Sequence, residues 1–491
     1  MTDRSSSSAP DLAFDASAPT SHRGEEVDAA DAVRDALRSR VRRLLSSANG
    51  HGSADGVDRI HRVRVSLPTA VDPLDWLWSQ PTTEAVYWSG RDDDEAVAGV
   101  GAADRVVARG LPVDLDRLES VLAGRIDRGE DVRYFGGLRF DAGQPSTDGV
   151  PDRRWTPFGT ARFVLPRFLL HRSGDETVLS CTIVRPRDTD DAEAILGAID
   201  RLPLPQPVTH DALPPLLDRV DAPTHDRWCE MVEWALRTVR GGHLAKVVLA
   251  RRVALRFGDR IRPFHVLKHL QAATRSCFHF GFRPEGKPTA WVGASPERLF
   301  RRSNGTVVSE AVAGTRSRGQ SEQADAALRD ELLESPKDRR EHAFVEDAIA
   351  ERLAPLCDRV DVDAETSEME LERGRHLHSR IEGTLHPATS TVDLLRALHP
   401  TPAVGGVPHD AALTAIRDQE PFDRGWYAGP IGWVGDDAAE FAVAIRAGLV
   451  RGKAIDLFSG AGLVEGSQPD AEWEEIEQKI GDFAAVLGIQ D

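Results

Sequence analysis

Lysine is scarce in this chain, whose 491 residues contain six lysines beside 55 arginines. Cysteine is rare too, and its four copies form no CxxC pair, which argues against a zinc knuckle and against a disulfide framework. No apolar run approaches the roughly 18 residues of a membrane span, and the N-terminus lacks the apolar core of a signal peptide. These absences predict a soluble cytoplasmic protein that does not contact membranes.

Acidic residues outnumber basic ones, and the formal net charge is −18. A general nucleic-acid binder would need a basic face, so we exclude that class. An anionic ligand would need a local cluster of cations or a metal ion to be held by this protein.

Three parts of the chain differ in pattern. Residues 1–55 form an acidic, serine-rich tail that is predicted to be disordered apart from a short helix. The apolar stripe of that helix is Val33, Leu37, Val41 and Leu44 or Leu45. Residues 56–220 contain strand-like pieces broken by Gly, Asp and Pro, which predict a mainly antiparallel sheet. In residues 221–491 long helices and strands alternate, so the class is a mixed α/β (α+β) fold.

One lysine lies in an apolar setting, in the stretch GGHLAKVVLARRVAL of residues 241–255. The run after the Gly-Gly turn is short and β-branched, which predicts a buried strand. Side chains alternate along a strand, so Lys246 shares a face with Val248 and Ala250. Burial disfavours the charged form of an amine and would make Lys246 usable as a base. The alternative is a strand-end lysine whose ammonium reaches water.

A predicted helix in LLESPKDRREHAFVEDAIAERLAPL carries two carboxylates toward the core. It begins with Ser335 as N-cap and Pro336 as its first helical residue. Asp338 lies one turn before Glu341 on the same face. The predicted buried stripe contains Glu341, Val345 and Ala348, with Phe344 beside them. Buried carboxylates need protons, cations or a metal, although a solvated helix start would explain the same acids.

The last helix repeats this arrangement with Glu472, Glu475 and Lys479 beside an apolar stripe that begins at Trp473. Acids at i, i+3 on two helices could hold one oxygen-loving cation such as Mg²⁺ between them. The lysine could then meet a negative group of the ligand. The alternative is an ordinary charged helix with internal salt bridges.

Glycine-rich stretches separate these elements, at residues 311–319, 398–408, 424–435 and 457–467. We interpret them as turns whose glycines let the backbone approach a ligand and direct N–H groups at an anion. Arg446, in EFAVAIRAGLV, is a single cation in a predicted apolar strand. Its guanidinium is suited to bidentate contact with a carboxylate.

The chain resembles the chorismate-utilising enzymes in an ordered set of motifs: KVVLAR, SPERLF, AVAGTRSRG, ESPKDRREH, LHPTPAVGG, RGWYAGPIGW, FAVAIRAGLV, GAGLVEGS and EWEEIEQK. The set spans residues 246–479, and YFGGLRFD with ARFVLPRFLL extends the resemblance into the first half. Isochorismate synthases of the menaquinone or siderophore type are the most similar members. The resemblance implies one large chorismate-binding domain with two antiparallel sheets flanked by helices, and a need for Mg²⁺.

The resemblance also implies catalytic roles. Lys246 would deprotonate a water that attacks C2 of the chorismate ring, and Glu297, in SPERLF, would protonate the departing C4 hydroxyl. Glu297 must then hold a proton near neutral pH, so burial should raise its pKa. The implied metal ligands are Glu341 and Glu475, with Glu472 and Asp338 in or near the coordination shell.

The implied substrate-binding residues surround the same ring. They are Gly314, Thr315, His399, Tyr427, Arg446, Gly460, Ala461, Gly462 and Lys479. Arg446 and Tyr427 would hold the enolpyruvyl carboxylate, together with Lys479 and with backbone N–H groups of residues 460–462. The cations of an acidic protein would thus be concentrated where a dianion binds.

Two positions narrow the activity within the family. Ammonia-using anthranilate enzymes carry Gln in place of Lys246, and aminodeoxychorismate synthases tend to carry a nucleophilic Lys in place of Ala313. We therefore predict an isochorismate synthase, an isomerase that acts on chorismate as a monomer without an amidotransferase partner. Salicylate synthase, which forms the same intermediate and then eliminates pyruvate, is the main alternative. An anthranilate-synthase-type subunit and a chorismate-binding protein without turnover are further alternatives, opposed by Lys246 and by the intact set of acid, base and ligands.

Overall fold

The computed structural model describes residues 21–47, 58–81, 83–92, 94–129, 131–143, 152–205, 212–372 and 374–489. The α-helices in these ranges are α1 Ser21–Ser46, α2 Pro73–Trp78, α3 Leu115–Ile126, α4 Arg187–Asp190, α5 Ala192–Asp200, α6 His225–Arg240, α7 Pro263–Ala273, α8 Glu322–Glu334, α9 Pro336–Leu353, α10 Thr391–Leu398, α11 His409–Gln419 and α12 Pro469–Val486. A 3-10 turn at Ala354–Leu356 follows α9.

The strands in the same ranges are β1 Arg59–Ser66, β2 Ala85–Ser89, β3 Glu95–Ala108, β4 Tyr134–Leu138, β5 Ala161–Ser173, β6 Glu176–Arg185, β7 Leu216–Ala222, β8 Lys246–Phe257, β9 Phe278–Arg283, β10 Thr289–Ser295, β11 Arg298–Ser303, β12 Thr306–Ser317, β13 Cys357–Val362, β14 Ser367–Glu370, β15 Gly374–Leu385, β16 Gly406–Val407, β17 Pro430–Val434, β18 Ala438–Val443, β19 Ala447–Arg451 and β20 Ala454–Leu463.

The described strand pairs are all antiparallel, and they join into one continuous hydrogen-bonded network. The network branches at β5, which pairs with β3, β4 and β6. One branch runs from β3 through β2, β9, β10, β19 and β20 to β8. The other runs from β4 through β17, β18, β11 and β12 to β15. The mixed fold of antiparallel sheets and helices is confirmed, and the two expected sheets are linked through β5.

The predicted parts 56–220 and 221–491 share this network. The pairs β2–β9, β4–β17 and β7–β8 connect them, and β7 itself crosses the predicted boundary. Apolar side chains from both parts form one buried cluster. It contains edge-on and tilted aromatic rings, among them Trp155, Trp291 and Phe458. The two parts therefore form one packed unit, with the candidate site at the edge of its core.

Helix α1 is longer than the short helix predicted for the tail. It covers 26 residues, and it buries Val33, Leu37, Val41 and Leu45, the predicted stripe. The segment from Ser21 onward is helical rather than disordered, because its apolar face packs against α5 and β1. The rest of the predicted tail, residues 1–20 and 48–55, lies outside the described residues. No described helix is long and apolar enough to cross a membrane.

Candidate active site

Strand β8 begins with Lys246, as the apolar run predicted. The side chain is fully buried, with 0% of its surface exposed, so the alternative of a lysine that reaches water is wrong. Val248, on the same face, lines a cavity. Nζ of Lys246 lies 2.9 Å from Oε1 of Glu341. Apart from this ion contact, Nζ has no hydrogen-bond partner among the described residues, which leaves N–H groups that a ligand could use.

A buried ion pair fixes the strand that carries Lys246. Arg424 donates from Nη2 to the carbonyl oxygen of Val248 and from Nη1 to that of Val404, each over 2.8 Å. Oε1 of Glu420 accepts from the N–H of Ala250 at 2.8 Å and also pairs with Arg424. Loss of either charge would leave the other buried and uncompensated. The lysine is thus held by a rigid backbone rather than by a mobile loop.

Glu297 lies on the wall of the same cavity, in the short link between β10 and β11. Burial raises the pKa of its carboxyl group to about 8, against a lowering by the Lys246 ammonium and with a further rise from the Glu310 carboxylate. At neutral pH the group is therefore mostly protonated. The predicted rise in the pKa of Glu297 is confirmed, and so is its cause.

A second carboxylate, behind the cavity, anchors the chain on both sides of Glu297. Arg91 donates from Nη1 to the carbonyl oxygen of Pro296 over 2.7 Å, and both of its Nη atoms donate to Glu310. Arg298 donates from Nη1 to Oε1 of Glu310 over 2.6 Å. The two sequence neighbours of Glu297 are therefore attached to one buried carboxylate. Arg91 and Glu310 were not predicted, because they come from other parts of the chain and carry no motif.

Helix α9 begins as predicted, since the Ser335 side chain accepts a hydrogen bond from the N–H of Asp338 and Pro336 is the first helical residue. The predicted buried stripe is wrong by about one residue. The buried positions are Asp338, His342, Val345, Ile349 and Leu353. Glu341 and Ala348 lie at the margin of this stripe, because the face centred on His342 and Val345 is the one that packs on β12 and β15. At that margin the Glu341 carboxylate can face the cavity.

The four predicted metal ligands come together from α9 and α12. Asp338, Glu341 and Glu475 line the cavity, and Glu472 lies buried beside them. Each carboxylate contacts one cation: Glu341 with Lys246 at 2.9 Å, Asp338 with Arg316 at 2.8 Å, Glu475 with Lys479 at 2.6 Å and Glu472 with Lys337 at 2.9 Å. Asp338 and Glu472 are buried, so the alternative of a solvated helix start is wrong for α9. The alternative for α12 holds in part, because Glu475 is partly exposed and forms an internal salt bridge with Lys479 one turn later.

The pKa values of the two acids on α12 move in opposite directions. Burial raises the pKa of Glu472, and the Lys337 ammonium offsets only part of the rise. Burial acts in the same sense on Glu475 and is the largest single influence, but Lys479, Lys337 and His376 together outweigh it and hold the pKa below the ordinary value. The acid beside the cavity is thus the more readily ionised of the two.

Glycine keeps space open beside two of these carboxylates. A Cβ on Gly462 would lie 2.3 Å from Oε1 of Glu341. Gly314 has φ +68°, which L side chains rarely adopt, and its Cβ would lie 3.2 Å from Oδ1 of Asp338. Carboxylate oxygens are the donors that Mg²⁺ prefers, and Asp338, Glu341 and Glu475 offer them on one cavity. The residues present therefore fit the expected ion.

Arg446 also lines the cavity, but it lies in the link between β18 and β19 and not in a strand. Its φ of 50° is left-handed, a conformation that is uncommon for a residue with a side chain. Nη1 is 4.0 Å from Oδ2 of Asp482. Tyr427 stacks on Phe458 with ring centroids 5.3 Å apart, and burial raises the pKa of its hydroxyl. A cation and a neutral donor thus face the same space.

The predicted turn at residues 460–462 is the end of strand β20. The N–H groups of Val248 and Ala250 point away from β20, to Gly405 and Glu420. N–H directions alternate along an antiparallel strand, so the N–H of Leu249 points toward β20. There Leu249 and its register partner Ala461 exchange hydrogen bonds. The N–H of Ala461 is therefore used within the sheet, and its predicted role is wrong. The N–H groups of Gly460 and Gly462 point away from β8, where a ligand could meet them. The stretch around Gly314 is likewise a strand, β12, rather than a turn.

His399 does not line the cavity, which contradicts its predicted position near the ring. Its Nε2 donates to the carbonyl oxygen of Phe140 over 2.8 Å, at the end of α10. The cavity is instead lined by His376 of β15. Burial lowers the pKa of His376 to about 4, and its Nδ1 lies 2.7 Å from the carbonyl oxygen of Gly314 and 3.2 Å from Oγ1 of the predicted residue Thr315. His376 is one of two histidines in the alternating strand GRHLHSRIEG, and that pattern was the signal that could have indicated it.

Three of the six lysines, Lys246, Lys337 and Lys479, contact the carboxylates of this one site. Lys479 also donates to the carbonyl oxygen of Gly460 over 3.2 Å. Lys337 was not predicted, and the scarcity of lysine was the signal that could have found it. The cluster of cations in an acidic protein is the local charge that an anionic ligand needs.

Fold and site together define an antiparallel α+β enzyme with a buried lysine, a protonated glutamate and a carboxylate cluster around one cavity. The family model described as chorismate binding enzyme matches residues 49–488, and the chain belongs to this family. The resemblance in the motifs is thereby confirmed.

Isochorismate synthases are similar to this chain over most of its length. The isochorismate synthase MenF of Bacillus subtilis is 36% identical, with 87% of this chain and 94% of that protein aligned. The chloroplastic isochorismate synthase 2 of Arabidopsis thaliana is 33% identical, with 87% of this chain and 80% of that protein aligned. The structure of MenF, the menaquinone-specific isochorismate synthase from Escherichia coli, matches with a TM-score of 0.78 at 29% identity, over 92% of this chain and 99% of that one.

Proposed function

We propose that this chain is an isochorismate synthase, which adds water at C2 of chorismate and releases the C4 hydroxyl. The observation that carries the proposal is the pair of buried groups at one cavity. Lys246 is fully buried beside the cavity wall, and Glu297 on that wall has a pKa of about 8. One group is placed to take a proton and the other holds one at neutral pH.

Lys246 acts as the base in this proposal. Its N–H groups have no other hydrogen-bond partner among the described residues and can orient a water. When Nζ takes the proton of the attacking water, the Glu341 carboxylate 2.9 Å away stabilises the resulting ammonium. The oxygen of the water forms the new bond to C2.

Glu297 acts as the acid. As the C2–O bond forms, the ring double bonds shift and the C4–O bond breaks. The leaving oxygen takes the proton of Glu297 and departs as water. One water is added and one is released, so the net reaction is an isomerisation. Exchange of protons with solvent returns Lys246 and Glu297 to their starting forms.

The remaining residues hold the substrate. Arg446, Tyr427 and Lys479, with the N–H groups of Gly460 and Gly462, would bind the enolpyruvyl carboxylate. Glu341 and Glu475 would bind Mg²⁺, with Asp338 and Glu472 close by, and the ion when bound would hold the ring carboxylate and draw electron density from the ring. A cytoplasmic location, a monomeric state and supply of menaquinone or siderophore synthesis stay predictions.

Chromatography of the products tests the proposal. Purified protein is incubated with chorismate and Mg²⁺ at high salt, with and without ammonium. We expect isochorismate alone under both conditions. Salicylate with pyruvate would instead identify a salicylate synthase with the same site, and anthranilate formed only with ammonium would contradict the role of Lys246.

A further inference from the structure

Three side chains meet at the surface between α6 and α12, outside the cavity. His225 and Cys229 lie one turn apart on α6, and Asp470 is the second residue of α12. Nε2 of His225 is 3.0 Å from Oδ1 of Asp470. Sγ of Cys229 is 3.9 Å from that Nε2 and 4.0 Å from that Oδ1. One nitrogen, one sulfur and one oxygen donor thus surround a common point.

These separations are close to those around a tetrahedral zinc ion. Zinc bonds of about 2.0 to 2.3 Å place neighbouring ligand atoms about 3.3 to 3.6 Å apart. Each observed separation differs from this range by about half an ångström or less, a change that small side-chain rotations provide.

The backbone around the three side chains is well anchored. Nε1 of Trp228, a fully buried residue of α6, donates to the carbonyl oxygen of Pro469 over 3.1 Å. The His225 ring packs edge-on against Trp473 of α12, with ring centroids 4.9 Å apart. Ligands on packed helices are held more precisely than ligands on loops. The N-terminal ends of the two helices therefore keep the three donors together.

The electrostatic setting also favours a cation. The carboxylates of Asp470, Asp226 and Glu233 act on Cys229 from nearby. This negative field attracts a divalent ion, whose own charge would then stabilise the thiolate. His225 and Asp470 are 47% and 80% exposed, so a fourth position remains open to water.

We propose that His225, Cys229 and Asp470 bind a zinc ion, with water completing the tetrahedron. Thiolate and imidazole select zinc, whereas the oxygen donors of Glu341 and Glu475 suit Mg²⁺, so the two sites take different metals. Asp470 precedes Glu472 on the same helix. A zinc ion would therefore tie the beginning of α12, which carries the carboxylates and the lysine of the cavity, to α6.

Cobalt provides a spectroscopic test that does not depend on turnover. The full chain is freed of metal with a chelator and returned to excess Mg²⁺, and Co²⁺ is then added. We expect a thiolate-to-cobalt charge-transfer band that saturates at one equivalent and is displaced by one equivalent of Zn²⁺. Zinc should also raise the melting temperature of the wild-type chain.

Matched variants assign the band. Cys229→Ser should abolish it together with the zinc-dependent shift in melting temperature, and Asp470→Asn should weaken zinc binding by about tenfold or more. Cys357→Ser, which changes a cysteine distant from this cluster, and Glu341→Gln, which changes the cavity, should both retain the band. Absence of a thiolate band in the wild-type chain, or its persistence in Cys229→Ser, would overturn the proposal.

Discussion

Two buried glutamates near the cavity differ sharply in their protonation. Glu297 and Glu310 are 5% and 4% exposed, so burial penalises both carboxylates. Burial raises the pKa of Glu297 to about 8, whereas Glu310, despite the same penalty, has a pKa of about 2 because His378, Arg91 and Arg298 contact it. Among the described residues, no cation forms an ion pair with Glu297. The contacts around a buried carboxylate, and not its depth, decide whether it is an acid or an anchor.

The acid role of Glu297 is tested by Glu297→Gln, which keeps the shape and removes the transferable proton. We expect turnover to fall by about 10³-fold, the typical contribution of a general acid, while the response of substrate binding to Mg²⁺ persists. Steady-state kinetics of isochorismate formation measure this change. Glu474→Gln, an exposed position on α12, is the control, and turnover within tenfold of the wild type in Glu297→Gln would remove Glu297 from its role.

The same substitution should stabilise the protein at alkaline pH. Because the pKa of Glu297 is raised on folding, ionisation costs stability increasingly from pH 4.5 upward, and the full cost is reached near pH 8. Glu297→Gln removes this cost, so its stability advantage should be near zero below pH 4.5 and of the order of 3 kcal/mol at pH 7. Denaturant unfolding across this pH range measures it. An advantage that does not grow with pH would contradict the raised pKa.

The anchoring role of Glu310 is tested through Arg91→Ala, which removes the guanidinium that joins Pro296 to Glu310. We expect kcat to fall by about tenfold to 10²-fold, because a displaced Glu297 carboxyl group is no longer well placed to protonate the leaving hydroxyl. The Mg²⁺ dependence should stay unchanged. Arg91→Lys, which keeps the charge and can reach only one of the partners, should recover part of the loss. A fall in Mg²⁺ affinity equal to the fall in kcat would indicate a general structural effect instead.

The pH profile of the wild-type enzyme follows from the same comparison. Glu297 must be protonated to act, so kcat/KM should fall above about pH 8, by about tenfold per pH unit where a single proton is lost. The alkaline limb is measured with chorismate at fixed salt and Mg²⁺. Arg91→Ala retains Glu297, so its kcat/KM should still fall at alkaline pH. In Glu297→Gln this alkaline fall should be absent.

The contact between Glu341 and Lys246 can be disturbed by a substitution that changes no charge. In Gly462→Ala the new Cβ would lie 2.3 Å from Oε1 of Glu341, so the carboxylate must move away from Lys246. We expect about tenfold lower activity and a weaker response to Mg²⁺. Gly481→Ala on α12 is the control, because a Cβ there meets open space. An unchanged Mg²⁺ titration in Gly462→Ala would argue against Glu341 as a ligand.

Much of this site could be predicted from local patterns. The β-branched run after a Gly-Gly turn predicted the strand of Lys246, and Ser335 with Pro336 predicted the start of α9. Both depend on interactions within a few residues. The ordered motifs identified the family, and most of the site residues that the resemblance implied line the cavity. The α9 stripe was displaced by one residue, because the packing partners of a helix, rather than its own sequence, select the buried face.

Other residues could not be predicted, because distant segments supply them. Arg91 reaches Glu310 and Pro296 across 219 and 205 positions of the chain, and no short-range pattern records such a contact. His399 was predicted because the family resemblance implied it, but the sheet places the strand of His376 along the cavity. Ala461 lost its predicted role because strand register, which depends on the partner strand, directs its N–H into the sheet.

By itself the sequence determined which chemical groups are available: a few lysines in an excess of acids, carboxylates at helical spacing, and glycines at positions where a side chain would not fit. Only the tertiary structure decided which of these groups ionise and which meet. A pKa depends on every charge and dipole within a few ångströms, and the folded chain brings those groups together from segments that are hundreds of residues apart. Glu297 and Glu310 are the same residue type on neighbouring elements, and their surroundings keep one protonated and the other ionised at neutral pH.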